Sequence, residues 1–353
     1  MPNLAPIFAA TPLLQGVYKE HAHDATSQHT SHDENNLTPW HMGTKVDKLT
    51  INLRYGGVDG YDLFGHFYNH AGCLTAMDKH EMGALSAISY EKAYLNKNPN
   101  KTHEAVISIR HSSGKQVCGI MLDPVKPWLP PATLHLNPGL IRQLGVESDF
   151  IALWQLLFPA GIGAEGLYPD VRKVELAHDF LTYAGGWAYY AISRQSKQKF
   201  KNTDYLGKGK SKVSTALYNK GLEQLASKYG PAGDATGVYR LEVRLQKMGW
   251  GGDFAASLNK MKNPLNAVHI KDKEALVQAF PPHTNPGFWN AVAQNDLNTA
   301  LKDMPPKARQ KLLAKLKALP QPDWYQPDAL WEEMKQAALA CPYLQLNSQN
   351  QNV

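Results

Sequence analysis

Apolar and polar residues alternate with a period of two in several segments before residue 253. Successive side chains of a strand point to opposite faces of a sheet, so this alternation predicts strands with one apolar and one polar face. Turn residues such as Gly56-Gly57 and Ser112-Ser113-Gly114 separate the segments. The predicted strands are Val46 to Tyr55, Glu104 to Arg110, Gln116 to Leu122, Thr133 to Leu136, Arg172 to Leu181, Val213 to Tyr218 and Val238 to Gln246.

Helical patterns interrupt these strands and then replace them after Gly249 to Gly252, where proline-rich breaks separate the segments. The predicted helices are Leu74 to Ser89, a helix that begins at Pro138 with Asn137 as its cap, Ser148 to Phe158, a helix start over Trp187 to Ile192, Phe288 to Leu301, Lys307 to Leu319 and Asp328 to Ala340. Regular βαβ alternation is missing. The pattern therefore predicts an α+β fold, a mainly antiparallel sheet with helices on one face, followed by a smaller helical C-terminal region.

Composition changes along the chain suggest its division into segments. Residues 1–42 are polar and irregular, and they hold five of the fourteen histidines at loose spacing. We expect a disordered arm there rather than a metal-binding tract. A folded domain is expected over residues 43–253, a helical and basic region over 254–345, and a frayed tail over 346–353.

Three of the predicted strands each present charged groups on one face beside an apolar face. These groups are Glu175 and Asp179 on one strand, Tyr218 and Lys220 on the second, and Arg240, Glu242 and Arg244 on the third. On the first strand of the chain, the same alternation assigns Asp47 to the apolar face. If the three strands are neighbours, the carboxylates converge at a spacing that suits Mg²⁺ or Mn²⁺. The alternative is a solvated sheet face with ion pairs.

Positive charge is concentrated in one segment. The whole chain has a formal net charge of +6, which permits nucleic acid as a partner without requiring it. Residues 194–212 contain seven basic residues and one acidic residue, Asp204. We expect contacts with phosphate groups from this segment, against the alternative of a solvated loop. The candidate DNA contacts are Lys199, Lys201, Lys208, Lys210 and Lys212, with Arg240 and Arg244.

The remaining composition bears on the cellular compartment. The three cysteines, Cys73, Cys118 and Cys341, are widely spaced, so a disulfide framework or a zinc ribbon is not expected and a reducing cytoplasm fits. The apolar run from Leu4 to Leu14 lacks a basic segment before it, and we do not interpret it as a signal peptide. Because no apolar stretch approaches the length of a membrane span, we expect no membrane association.

Several motifs, taken in order, resemble the replication initiation factor family, the rolling-circle initiators of small plasmids and some phages, in their tyrosine-nicking branch. The matching segments are Lys173-Val174-Glu175-Leu176-Ala177-His178-Asp179-Phe180, then Tyr205-Leu206-Gly207 through Ser211 to Leu217-Tyr218-Asn219-Lys220, and then Tyr239-Arg240-Leu241-Glu242-Val243-Arg244-Leu245. The resemblance covers residues 45 to 250. Glu175 departs from the usual aspartate, and the region beyond residue 253 matches nothing in the family.

The resemblance implies a chemistry and a set of residues. Tyr218 would attack a phosphodiester of origin DNA, remain bound to the 5′-phosphate and release a 3′-OH that primes synthesis. Glu175, Asp179 and Glu242 would hold Mg²⁺ or Mn²⁺. A phenol is a poor nucleophile at neutral pH, so it needs a nearby cation, metal or base. We expect Lys220, on the same strand face, to lower the pKa of Tyr218.

The resemblance also implies partners. It makes residues 43–253 the nicking and strand-transfer domain and residues 254–345 a region for DNA binding or oligomerisation. The expected partners are single-stranded, cruciform or supercoiled origin DNA and a host helicase, with a homodimer as a further arrangement, in the cytoplasm of a bacterial host. The alternative is a non-catalytic plasmid or phage DNA-binding regulator on a related fold.

Overall fold

The structure is a computed structural model that describes residues 39–55, 79–90, 102–157, 167–181, 187–191, 197–200, 203–206, 211–247, 253–294 and 297–344. The chain divides into two compact units. Among the described residues, those within 39–273 and 320–344 belong to the larger unit, and those within 274–319 belong to the smaller one.

Strands dominate the larger unit, and each neighbouring pair of strands is antiparallel. Eleven of the described strands form one sheet in the order β2-β3-β4-β5-β6-β1-β7-β12-β11-β10-β9, and β8 pairs with β13. The strands are β1 Gly43–Tyr55, β2 Lys79–Met82, β3 Leu85–Tyr90, β4 His103–His111, β5 Gln116–Pro124, β6 Ala132–Leu136, β7 Leu167–Leu181, β8 Trp187–Ala191, β9 Lys197–Phe200, β10 Thr203–Leu206, β11 Val213–Asn219, β12 Val238–Gln246 and β13 Val268–Asp272. The predicted α+β class is confirmed.

Short helices connect and cover the strands. The described helices are α1 Pro138–Gln143, α2 Glu147–Leu157, α3 Lys220–Leu225, α4 Phe254–Asn259, α5 Lys273–Ala279, α6 Pro286–Gln294, α7 Leu297–Asp303, α8 Pro306–Ala318 and α9 Pro327–Leu339. Two 3₁₀ turns, Pro264–Ala267 and Pro342–Leu344, complete the set. No helix among the described residues is long and apolar enough to cross a membrane.

Two helix predictions were wrong. The described part of the segment Leu74 to Ser89 is the hairpin of β2 and β3, which turns at Gly83 with φ of 55°. β3 then pairs with β4, so sheet pairing outweighs the helical propensity of its alanine, leucine and methionine residues. Trp187 to Ala191 is also a strand, because β13 pairs with it from far along the chain.

The predicted basic segment also contains strands. Lys197–Phe200 and Thr203–Leu206 pair as β9 and β10 at one end of the large sheet. The predicted helix Phe288 to Leu301 is two helices, α6 and α7. Asn137 precedes α1 as expected, but its side chain makes no cap hydrogen bond and donates instead to the carbonyl oxygen of Gln116.

The main core lies on the apolar face of the central strands. Leu241 and Val243 of β12 are fully buried in one cluster with Leu330, Trp331 and Met334 of α9. Burial of each such side chain contributes about 1.5–3 kcal/mol relative to exposure. This packing fixes which way β12 faces, and it turns the charged residues of the same strand toward the opposite side of the sheet.

Helix α8 of the smaller unit has one buried stripe and one basic face. Leu312 and Leu316 are buried, whereas Lys307, Lys311 and Lys315 are exposed. Residues four apart lie on the same side of a helix, so these three lysines form one row.

Candidate active site

The three strands with charged faces are neighbours, so the condition for convergence of their charged groups is met. β12 lies between β7 and β11, and paired residues share a face of the sheet. The first row contains Asp179, Arg240 and Tyr218, the second Ala177, Glu242 and Ala216, and the third Glu175, Arg244 and Ser214. The two alanines leave space on either side of Glu242, so the long polar side chains of the outer rows converge above it.

A bulge in β1 adds Asp47 to this face. Val46 pairs with Leu176 whereas Lys48 pairs with Glu175, so Asp47 is an extra residue in β1. A bulge interrupts the alternation of side chains and turns the extra residue in a new direction. The assignment of Asp47 to the apolar face was therefore wrong.

Asp47, Glu175 and Glu242 form a buried cluster of carboxylates. One oxygen from each lies within 4.8 Å of the other two. Ligand oxygens around one Mg²⁺ lie about 3–4 Å apart, because each is about 2.1 Å from the ion. Oε2 of Glu175 is buried and has no hydrogen-bond partner among the described residues. These residues fit a divalent cation after a small movement of the side chains.

Asp179, the third predicted ligand, lies outside that cluster and is held by ion pairs. Arg240 donates from Nε to Oδ1 at 2.6 Å and from Nη2 to Oδ2 at 2.8 Å. Nζ of Lys45 lies 2.6 Å from Oδ2. Burial would raise the pKa of Asp179, but its hydrogen bonds to Arg240 and the charges of Arg240 and Lys45 hold that pKa below its usual value. Here Asp179 therefore positions Arg240.

Arg240 links Asp179 to the carboxylate cluster. Its Nη1 donates to Oδ1 of Asp47 at 2.6 Å, so one guanidinium group binds two carboxylates. The bidentate bond with Asp179 fixes the plane of the guanidinium group. Arg240 is 1% exposed. The predicted contact of Arg240 with DNA stays a prediction. In the structure its guanidinium group binds Asp179 and Asp47.

The segment before β1 covers the Asp179 side of the site. The indole Nε1 of Trp40 donates to Oδ2 of Asp179 at 2.6 Å. Gln143 holds both sides of Trp40, because it accepts from the backbone N–H of His41 at 3.0 Å and donates to the carbonyl oxygen of Pro39 at 3.1 Å. Trp40 falls within the predicted arm of residues 1–42, and these contacts bury it.

Tyr218 is hydrogen bonded to the carboxylate cluster. Its phenol oxygen donates to Oε1 of Glu242, and the residue is 7% exposed. Burial and the neighbouring charge of Glu242 raise the pKa of Tyr218 well above its ordinary value, and Arg240 offsets only part of this. The phenol is therefore protonated at neutral pH, and Glu242 is the group placed to accept its proton.

Lys220 is the first residue of α3, so the prediction that it continues the strand face was wrong. Asn219 ends β11, and its side chain accepts from the backbone N–H of Leu222 at 2.9 Å, as a helix cap does. Nζ of Lys220 lies 2.6 Å from Oε2 of Glu223 and 5.9 Å from the centre of the Tyr218 ring. Lys220 is close to the phenol, but the pKa of Tyr218 is raised rather than lowered.

Basic side chains surround the other carboxylates. Glu175 has Nζ of Lys173 at 2.5 Å, Nζ of Lys48 at 3.4 Å and Nε of Arg244 at 3.6 Å. Burial would raise the pKa of Glu175, but these three charges lower it. Arg244 also donates from Nε to Oε2 of Glu242 at 2.8 Å. Glu175 is thus ionised, and basic side chains lie beside both carboxylates.

The predicted DNA contacts differ in what the structure says of them. Lys212 is exposed just before β11, and the side chain of Arg244 is 23% exposed. Lys199 belongs to β9, but its side chain lies outside the described parts of the structure. Lys201, Lys208 and Lys210 lie outside the described residues altogether. The role of this segment stays a prediction.

Sequence reasoning missed Asp47, Trp40 and Lys45. Asp47 was hidden by the bulge, and the other two contact Asp179 across more than 130 residues of chain. The sequence offered one signal for Asp47, which is that an aspartate falls among the apolar positions of the first strand. A buried carboxylate needs a partner, so such a position indicates an ion pair or a bound cation.

Comparisons with known proteins add little. No family model matches the chain, and no curated protein matches it. Among solved structures, it is similar to a rolling circle replication initiator protein from Geobacillus stearothermophilus, with 12% identity over 78% of this chain and 98% of that chain and a TM-score of 0.35. So weak a likeness carries no argument about function.

Proposed function

We propose that this protein is a replication initiator that nicks one strand of origin DNA through Tyr218, leaving a 5′-phosphotyrosyl link and a free 3′-OH. The observation that carries the proposal is the hydrogen bond from the Tyr218 phenol to Glu242, itself a member of the buried carboxylate cluster. A nucleophile bonded to its proton acceptor, beside candidate metal ligands, is an arrangement that phosphoryl transfer uses.

The proton and bond changes balance. The phenol oxygen of Tyr218 attacks the phosphorus and transfers its proton to Oε1 of Glu242. The phosphorus–oxygen bond to the 3′-oxygen breaks, and that oxygen takes up a proton from water to become the 3′-OH, while the proton on Glu242 returns to solvent. Arg244, which bonds the other oxygen of Glu242, keeps the carboxylate in place for this transfer.

Asp47, Glu175 and Glu242 would hold a divalent metal ion. When bound, Mg²⁺ or Mn²⁺ would supply positive charge that polarises the phosphate and makes loss of the phenol proton more favourable. Without added positive charge, burial keeps Tyr218 protonated. The side chains around the phenol must also move to admit a phosphate, since Tyr218 is 7% exposed.

One observation favours the non-catalytic alternative, a DNA-binding regulator on a related fold. Glu175 and Asp179 already face basic partners, and Tyr218 is buried and protonated. A purely structural role, in which the ion pairs hold the strands in position, would account for this network without catalysis. Removal of one partner from a buried pair is costly in either case, so stability measurements do not separate the two functions.

The experiment that separates them is detection of a covalent adduct. The protein is incubated with single-stranded oligonucleotides from candidate origins and Mg²⁺ or Mn²⁺, then resolved on a denaturing gel. The proposal expects a band of protein linked to the 5′-phosphate fragment. Tight binding to the same oligonucleotides without any adduct would establish the regulator instead.

A further inference from the structure

A cleft of about 310 Å³ opens beside the candidate active site. Asp47 and Lys220 lie in its wall. Since Asp47 belongs to the carboxylate cluster and Lys220 lies 5.9 Å from the centre of the Tyr218 ring, the cleft adjoins both parts of the site. The proposed chemistry makes no use of other residues that line it, among them Lys115, Ser227 and Tyr229. We call this the lysine cleft, because Lys48, Lys115 and Lys220 line it.

Lys115 is the feature of this cleft that needs an explanation. It is 8% exposed, and its Nζ donates to the carbonyl oxygens of Tyr229 at 2.9 Å and Pro231 at 3.0 Å. No carboxylate of the described residues lies within ion-pair distance of it. Burial accordingly lowers the pKa of Lys115. An ammonium group has three N–H donors, and these two bonds leave one for a ligand.

The charges of the other lining residues leave the cleft positive. Its carboxylates, Asp47 and Glu223, are already paired with Arg240 and Lys220. Three lysines and two carboxylates give the wall a net charge of +1. Lys48 lines the cleft with a side chain that is 50% exposed, and its ammonium group lies 3.4 Å from Oε2 of Glu175.

We propose that the lysine cleft binds a phosphate group of the DNA strand, adjacent to the phosphate that Tyr218 attacks, through Lys115 and Lys48. This inference rests on the proposed function and specifies how the strand is held for it. A phosphate supplies the negative charge that Lys115 lacks and accepts its third N–H. The contact is made with the backbone, so it fixes the position of the strand without selecting its sequence. The volume is near the lower end of the range for ligand sites, which suits one nucleotide unit.

The test measures binding apart from chemistry. Tyr218→Phe protein binds a fluorescent single-stranded oligonucleotide of random sequence, and the affinity is followed by anisotropy over a series of salt concentrations. Lys115→Gln keeps a hydrogen-bond donor near the two carbonyl groups but removes the charge. Ser227→Glu adds a negative charge at an exposed position of the cleft wall and leaves the Lys115 bonds intact. Ala255→Glu, at an exposed position of α4 outside the cleft, is the matched control.

We expect Ser227→Glu to weaken binding about tenfold through repulsion of the phosphate, and Ala255→Glu to leave it unchanged. Lys115→Gln should flatten the plot of log K against log salt by about 0.7, the loss of one phosphate contact on a single strand. Melting temperatures confirm that the variants fold. Should Lys115→Gln prove unstable, Ser227→Glu decides the question alone.

Two results overturn the inference while the proposed function stands: Ser227→Glu binds as tightly as Ala255→Glu, and the unsubstituted protein still forms the Tyr218 adduct. The reverse is also distinguishable. If Ser227→Glu weakens binding but no adduct forms under any metal condition, the cleft binds DNA and the nicking function is wrong.

Discussion

The phenol oxygen of Tyr218 donates a hydrogen bond to Oε1 of Glu242 on the neighbouring strand. Glu242 is fully buried, and its other oxygen accepts from Arg244. This arrangement makes the phenol a weak acid in the free protein, so the proposed nucleophile is inactive until positive charge reaches it.

Replacement of Tyr218 by phenylalanine should abolish nicking and the covalent adduct while origin binding stays nearly intact. The variant loses one hydrogen bond to a buried carboxylate that keeps its bond to Arg244, so the free energy of unfolding should fall by about 1.5–3 kcal/mol. Gel analysis of the adduct and chemical denaturation measure the two effects. Tyr239→Phe is the matched control, because Tyr239 lies on the other face of β12 and stacks on Phe180. An adduct that persists in Tyr218→Phe and maps to Tyr205 or Tyr239 would refute the assignment.

Asp47→Asn and Glu175→Gln should each raise the metal concentration that half-maximal cleavage requires. Each change removes one ligand charge from the carboxylate cluster, and we expect a shift of about tenfold or more. Titration of cleavage with Mg²⁺ and Mn²⁺ measures it. Asp179→Asn tests the sequence-based ligand set against the structural one, because Asp179 lies outside the cluster. Cleavage that continues undiminished in EDTA would remove the metal from the proposal.

Acid should unfold the protein through its buried carboxylates. Ion pairs hold the pKa values of Asp47, Glu175 and Asp179 below their ordinary values. Their stabilisation is complete above the unfolded-state pKa of about 4 and is lost as pH falls through the lower folded-state values. Melting temperature should therefore be insensitive to these groups near neutral pH and should fall steeply below about pH 4.

The Asp179→Asn variant tests the contribution of one of these carboxylates to acid sensitivity. The change leaves Arg240 and Lys45 with an uncharged partner in a buried site, so it should cost about 3–5 kcal/mol at neutral pH. The variant should also lose less stability than the unsubstituted protein on acidification. Asp303→Asn, at an exposed position of α7, is the control and should change neither quantity. Equal acid sensitivity of Asp179→Asn and the unsubstituted protein would show that Asp179 does not contribute.

The basic segment before β11 should bind the DNA backbone without selecting its sequence. Neutralising three of Lys199, Lys201, Lys208, Lys210 and Lys212 should flatten the salt slope by roughly two to three, since each phosphate contact contributes about 0.7 to 0.9. Affinity should fall equally for origin and random DNA. Binding isotherms at several salt concentrations measure both.

A triple neutralisation of Lys307, Lys311 and Lys315 on α8 is the matched comparison for that segment. An unchanged slope in the first set would mean that the segment is merely solvated. A loss confined to origin DNA would instead make the segment a base-reading element.

The alternation of side chains was sufficient to predict the charged face, but not what its residues contact. β12 was predicted to the residue, because its pattern depends only on which side packs against the core. The pairing of Asp179 with Trp40 and Lys45 was not predictable, since those residues come from the start of the chain and local patterns contain no information on such contacts. The hairpin of β2 and β3 was missed for the same reason, because pairing with β4 decides its structure.

The extra residue in β1 has a consequence for how related chains should be compared. The core contacts of Leu49 and Ile51 depend on the ladder after the bulge, whereas the direction of Asp47 depends on the bulge itself. A related chain that is one residue shorter at this point would keep its core but would lose the carboxylate from the cluster. An alignment that allows a gap at this point would therefore group chains that have a carboxylate equivalent to Asp47 with chains that lack it. The number of residues between positions 43 and 49 distinguishes the two kinds of chain.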